Sequence, residues 1–400
     1  VTDPEQDTST PAPAPSGSSA VTVRQIVDDT PDPSHQHEHP QASPTIARLS
    51  PTLTLLIGLA AAVVAMAGLR TVSSILAPTF LAITLVIAVY PIYKRTARFL
   101  PKWAAATLLL FLLYGILVLF VGSMGLAVAR LAETMPQYSG KFNALLQDGI
   151  ALAERLGLSK DQIESQVKNF DYKQLTGLVQ TLANTLSSTT SQVLFLLTVM
   201  VFLTMDTVGF SDRLKNVHKD KPDVADALVD FGSRVRTYWV VSTVFGLIVA
   251  ALDVVALWII GVPLAVTFGL WAFVTNYIPN IGFVLGLIPP ALMALLHGGW
   301  VDAVIVIIAY SVLNFSIQSI LQPKFTGDAV GINPTTAFLS LVFWSFIFGP
   351  LGALLAIPLT LLVKSLLLDR DPSAQWVNQF LKAGDKDDKF ERNVEPEPGR

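Results

Sequence analysis

Long apolar runs separated by short polar stretches occupy the chain from Leu53 to Leu368. A helix needs about 20 mostly apolar residues to cross a bilayer core. Leu53–Leu69 reads as a first span closed by Arg70, and Val72–Tyr90 as a second closed by Pro91. Trp103–Ala129 is a longer third span whose end projects beyond the bilayer. Val193–Val208 is a fourth, ending around Asp206, and Val240–Ile260 is a fifth. A turn at His297–Asp302 precedes Val301–Ile317, which runs back. The pattern predicts an all-α, polytopic integral membrane protein.

Two apolar runs cannot cross as straight helices. No charged side chain lies between Leu264 and Leu296, yet this run contains TNYIPNIGFVLGLIPP at Thr275–Pro290. Pro279 lacks the amide proton a helix interior needs, and Asn280 and Gly282 favour non-helical backbone beside it. Backbone groups freed at membrane depth are tolerated only where protein or a water-filled cavity satisfies them. A broken helix or re-entrant hairpin lining a polar site is therefore expected here. A second interruption, FGPLGALLAIP at Phe348–Pro358, carries Gly349 and Gly352. Its flanking runs, Thr335–Phe348 and Leu351–Leu368, are short for two full spans, so one is expected to be re-entrant. Paired Gly/Pro breaks in separate apolar segments point to a transport site, against the alternative of ordinary proline kinks.

The polar stretches set the domain plan. Residues 1–50 hold no apolar run and read as a disordered tail; HQHEH at 35–39 is a polar tract in it, not a metal site. The basic cluster Lys94, Arg95, Arg98 and Lys102 places its loop in the cytoplasm. The N-terminal tail then lies inside and Arg130 onward outside. Residues 130–190 form a charge-balanced helical insertion on the extracytoplasmic side, with capping-box signals at Ser159/Gln162 and Asp171/Gln174 and a helix stop at Gly157. It has too little core to be an independent domain. Residues 209–237 put Val224, Leu228, Phe231 and Val235 on one helical face. That face predicts a cytoplasmic amphipathic helix, either lying on the membrane or packed on the bundle. Residues 369–400 are a charged cytoplasmic tail, leaving 51–368 as the membrane domain.

Composition removes whole classes of function. Charged residues make up 14% of the chain, against roughly 25% in soluble proteins. There is no cysteine, which excludes disulfides and thiolate chemistry. A net charge of −3 gives no reason to expect nucleic acid. No nucleotide-binding G-x-x-x-x-G-K-[ST] loop and no H-E-x-x-H zinc motif is present. No enzyme activity, cofactor or metal is expected. Within the fifth span, Asp253 stands among apolar neighbours. Ionisable groups in spans usually face the bundle interior or a water path. Asp253 reads as a proton or cation relay, as the partner of a buried cation, or as a group solvated near the outer interface.

Three stretches taken together resemble one family. YIPNIGFVLGLIPPALMALL at 277–296, QPKFTGDAVGINP at 322–334 and FGPLGALLAIPL at 348–359 are similar to the autoinducer-2 exporter family of bacterial membrane proteins. The likeness covers roughly Leu53–Leu368 and leaves out both tails. It implies about eight membrane segments in the bacterial cytoplasmic membrane, cytoplasmic termini, and a homo-oligomer for which five subunits is one option. It also implies export of a signalling molecule, while some members are described as sodium/proton antiporters. The family signature often has an aromatic residue after its Ile-Pro, where this chain has Asn280.

The resulting expectation is a secondary transporter that exports a small hydrophilic solute, such as an autoinducer-2-like molecule. Asn276, Pro279, Asn280, Gly282, Asn314, Gln318, Gly349 and Gly352 are expected on the solute path, and Asp253 at ion coupling to a proton or sodium ion. A cation/proton antiporter is one alternative, and a non-transporting membrane scaffold or assembly factor is another.

Overall fold

The computed structural model describes residues 50–155, 177, 180–185, 190–279, 281–322, 331–370, 377 and 381. The histidine tract, the three capping signals of the insertion, Asn280, Lys324 and most of both tails lie outside these residues. The chain clusters into two units, Val1–Ile57 and Gly58–Arg400. In the first, Ser50 Oγ accepts from the Leu53 amide at 3.3 Å, capping the helix that starts at Pro51.

Among the described residues every regular element is helical. The helices are α1 (Pro51–Thr71), α2 (Ser73–Thr96), α3 (Lys102–Thr134), α4 (Ser139–Arg155), α5 (Thr190–Asp220) and α6 (Pro222–Ile260). They continue with α7 (Ala265–Thr275), α8 (Gly282–Gly298), α9 (Trp300–Asn314), α10 (Pro334–Phe348), α11 (Pro350–Leu354) and α12 (Ala356–Val363). Six helices among the described residues are long and apolar enough to span. With the interrupted segments 265–298 and 334–368 they make eight apolar segments of membrane type. The protein is an all-α, multi-pass membrane protein.

Helix length explains why the interrupted segments are broken pairs. At 1.5 Å per residue, the 11 residues of α7 reach about 16 Å, roughly half of a ~30 Å hydrocarbon core. Pro91 stands inside α2, so that helix continues past the proline where the sequence pattern ends it, and Pro289 and Pro290 stand inside α8. Such prolines are tolerated in spans because neighbouring groups re-satisfy the freed carbonyls. α3, α5 and α6 run to 33, 31 and 39 residues, longer than their apolar cores.

Residues 209–237 are divided between the last turns of α5 and the first turns of α6, joined at Lys221 with no separate helix between. Of the four positions on the expected face, Phe231 and Val235 are buried and Val224 is exposed. Phe231 packs near Phe80 of α2, with ring centroids 6.3 Å apart. The C-terminal half of the face packs on the bundle, where Phe231 and Val235 join α2 and α3 residues in the main core.

The polar insertion is tied to the end of α8. Tyr138 Oη meets His297 Nδ1 at 3.0 Å, and Lys141 Nζ donates to the His297 carbonyl at 3.0 Å. Met135 and Phe142 bury their side chains beside α7, α8 and α9 in a second core. That second core seats the first broken pair.

Candidate functional site

The break between α7 and α8 has its backbone groups met locally. Asn276 N donates to Ala272 O, Ile278 N to Thr275 O, and Gly282 N to Ile278 O, at 2.9 to 3.0 Å. Tyr238 on α6 donates its hydroxyl to the Tyr277 carbonyl at 3.0 Å, and Tyr277 Oη meets Thr243 Oγ1 at 2.8 Å. Trp271 Nε1 reaches across the break to Leu285 O at 2.8 Å. This satisfies the demand that irregular backbone at membrane depth find protein partners. Tyr238→Phe should therefore cost about 1–3 kcal/mol by leaving a buried carbonyl unpaired. Its melting temperature in detergent is expected to fall while the helix content stays unchanged.

Gly282 makes the tight return possible. A Cβ there would lie 2.0 Å from the Thr275 carbonyl oxygen, backbone against backbone. Gly352 repeats the arrangement in the second break, where a Cβ would lie 1.9 Å from Trp344 O. Gly349 adds a left-handed φ of +65° that favours glycine. In both breaks a glycine lets the second helix start against the last carbonyls of the first.

A polar ladder stands beside the first break. Gln318 Nε2 donates to Asn276 Oδ1 at 2.7 Å and to Asn314 Oδ1 at 3.1 Å. Asn314 Nδ2 in turn donates to Tyr310 O at 2.9 Å. Gln318 sits in the π-helical turn Phe315–Leu321 that continues α9. Such turns often occur at functional positions.

Asp253 opens into the same region. A tight cleft is lined by Asp253 from α6, Thr275 and Asn276 from the end of α7, Gly282 and Gly286 from α8, and Tyr310 and Asn314 from α9. It is too tight to admit a water molecule. Asp253 is 1% exposed and Tyr310 1%. Neither carboxylate oxygen of Asp253, nor the Tyr310 hydroxyl, has a hydrogen-bond partner among the described residues. Burial speaks against the reading of Asp253 as a group solvated near the outer interface. It faces the bundle interior, four residues from buried Val249 and four from buried Leu257.

The structure thus brings together Asn276, Gly282, Asn314, Gln318 and Asp253, with Pro279 in the connecting turn. Gly349 and Gly352 do not line the cleft; the second break packs on α2 and on α12. There, Ser340, Thr360 and Trp344 link α10 to α12 through their side chains. Tyr310 is a cleft residue that sequence reasoning did not single out. Its signal was present, because Tyr310, Asn314 and Gln318 recur every four residues and so share one helical face.

A family profile described as AI-2E family transporter matches residues 56–369, the whole apolar body and its insertion. The AI-2 transport protein TqsA of Escherichia coli (strain K12) is 30% identical over 316 residues, covering 78% of this chain and 91% of TqsA. A Haemophilus influenzae protein is 28% identical over 330 residues, covering 80% of this chain and 94% of its own. YhhT of Escherichia coli (strain K12) is 25% identical over 311 residues, covering 78% and 89%. The match runs through both glycine-based breaks and the polar ladder, and the chain belongs to the AI-2E family of transporters.

Proposed function

We propose that this transporter exports a small hydrophilic solute across the bacterial cytoplasmic membrane, with both termini in the cytoplasm and the protein assembled as a homo-oligomer. The observation that carries the reading is the ladder of Asn276, Asn314 and Gln318 beside an interrupted helix. Discontinuous helices with polar groups at the break are how many secondary transporters build substrate sites. In this reading the three amides exchange their mutual hydrogen bonds for bonds to solute when the cleft opens. Pro279 and Gly282 hold the break, and Asn280 is part of the path on sequence grounds. Gly349 and Gly352 let the second interrupted segment shift beside it. TqsA is named an AI-2 transport protein, so a small polar signalling molecule of that kind is the first solute to test.

The test is efflux of labelled polar metabolites from proteoliposomes. Gln318→Ala is expected to lower efflux about tenfold, because it leaves the amide oxygens of buried Asn314 and half-buried Asn276 without this donor, at a cost of about 1–3 kcal/mol. Efflux equal to wild type across the solutes that move would remove the ladder from the path. A second reading is favoured by Asp253, whose unpartnered carboxyl suits ion coupling, and makes the protein a sodium/proton antiporter. A pH change inside vesicles after a sodium pulse, without any solute, would select it.

A further inference from the structure

We propose that Asp253 and Tyr310 form an occluded proton-binding site, with one proton resting on the Asp253 carboxyl while the cleft is closed. An ionised carboxylate buried without a donor or counter-charge is very unfavourable, and such groups neutralise instead. Among the described residues lining the cleft, none carries a positive charge to compensate a negative one on Asp253. From α7 the cleft receives Thr275, whose hydroxyl already donates to Ala272 O at 3.2 Å. From α8 it receives glycines and Phe283, and from α9 Tyr310 and Asn314. Tyr310 is the one other titratable group lining it, and no Lys, Arg or His does so among the described residues.

Space selects the ion. Hard metal cations are held by several oxygens at once. Here the Asn276 and Asn314 side-chain oxygens already accept from Gln318, and the cleft has no room even for water. A proton needs no cavity. It neutralises the carboxylate, converting it to a carboxylic acid in the cleft that the unpartnered Tyr310 hydroxyl also lines. Opening the cleft to water restores solvation of the charge, and the same proton is released. One proton is thus taken up and given back per closing and opening.

The coupling of this proton to cargo rests on the transport reading above; its residence on Asp253 does not. Infrared difference spectra of the whole protein in nanodiscs, wild type minus Asp253→Asn, separate the two. A carboxylic-acid C=O band at neutral pH, present in wild type and absent from the variant, is expected. Tyr310→Phe should shift that band without removing it. Sodium chloride should leave it in place. Absence of the band at neutral pH, or its disappearance on adding sodium, would overturn the proton site. In proteoliposomes, Asp253→Asn is expected to bring solute-driven proton flux down to that of empty vesicles. A persistent band alongside solute efflux that moves no protons would keep the site and overturn its coupling role.

Discussion

Alanine at Gly282 is expected to lower transport by about 5- to 150-fold and to reduce the melting temperature of the purified protein. The cause is a single methyl group. A Cβ would sit 2.0 Å from the Thr275 carbonyl oxygen, 2.8 Å from its carbon and 3.2 Å from Asn276 Cα. All three contacts are backbone, so no side chain can swing aside, and α8 must move away from the end of α7. Overpacking of this kind costs about 1–3 kcal/mol. Set against one of two conformers, that energy is about a 5- to 150-fold change in their ratio. Gly282 also lines the Asp253 cleft, so the displacement widens it directly. Gly122→Ala in α3 is the control, because a Cβ there meets nothing within 4 Å. It should hold or slightly raise stability, since glycine weakens a helix interior by about 0.5–1 kcal/mol. Gly352→Ala should destabilise about as much as Gly282→Ala, through Trp344 O. Unchanged melting and flux in Gly282→Ala would mean that the two helices do not meet closely in the working protein.

The breaks are legible in the sequence because proline and glycine act locally. Pro279 and Gly282 stop and restart a helix by what they lack, an amide proton and a Cβ, and their neighbours cannot change that. The run Thr335–Phe348 likewise matches α10 within one residue, since Asn333 caps its start and Gly349 ends it. Pro91, Pro289 and Pro290 behave differently from this rule. Each is absorbed within a helix, and at Pro289 the replacement comes from outside that helix, where Trp271 Nε1 donates to the freed Leu285 carbonyl.

What could not be read locally is which polar residues meet. Asn276 and Gln318 are 42 positions apart, and only the fold of α7 to α9 puts their amides 2.7 Å from each other. The burial of Asp253 is likewise a tertiary fact, created where α7 and α9 pack on α6. Residues 209–237 show the opposite difficulty. Their periodicity identifies an apolar face, but a face packed on α2 and a face laid on lipid have the same sequence pattern. Lys364 is a further case. As a basic residue after an apolar run it reads as a solvated charge fitting a cytoplasmic loop, yet its side chain is 3% exposed.

Removing the carboxylate that holds Lys364 is expected to be the most destabilising single change outside the breaks. Lys364 Nζ lies 2.5 Å from Asp369 Oδ1, and Arg234 Nη1 on α6 lies 3.3 Å from Asp369 Oδ2. Arg370 pairs with Asp230, also on α6, at 3.1 Å. The local reason is helical geometry. Residues 364–368 form a π-helical turn, and the Asp369 amide donates to the Lys364 carbonyl at 2.9 Å. An i to i+5 bond stacks residues five apart, whereas an α-helix would turn them away from each other. The turn therefore supplies Lys364 with its own counter-ion and pins the end of the last apolar segment to α6. Asp369→Ala leaves the lysine charged and buried without that partner, a situation that costs about 3–5 kcal/mol. Thermal unfolding in detergent should show the loss. The double variant Lys364→Met with Asp369→Leu should recover most of it, because apolar replacements of a buried pair are often neutral or stabilising. If the single and double variants melt together, the pair contributes nothing and the α6 contact rests on Arg370 and Asp230 alone. If only the double variant recovers, the charges are a device for holding position. Transport assays on it would then tell whether the pinned end must be released for the cleft to open.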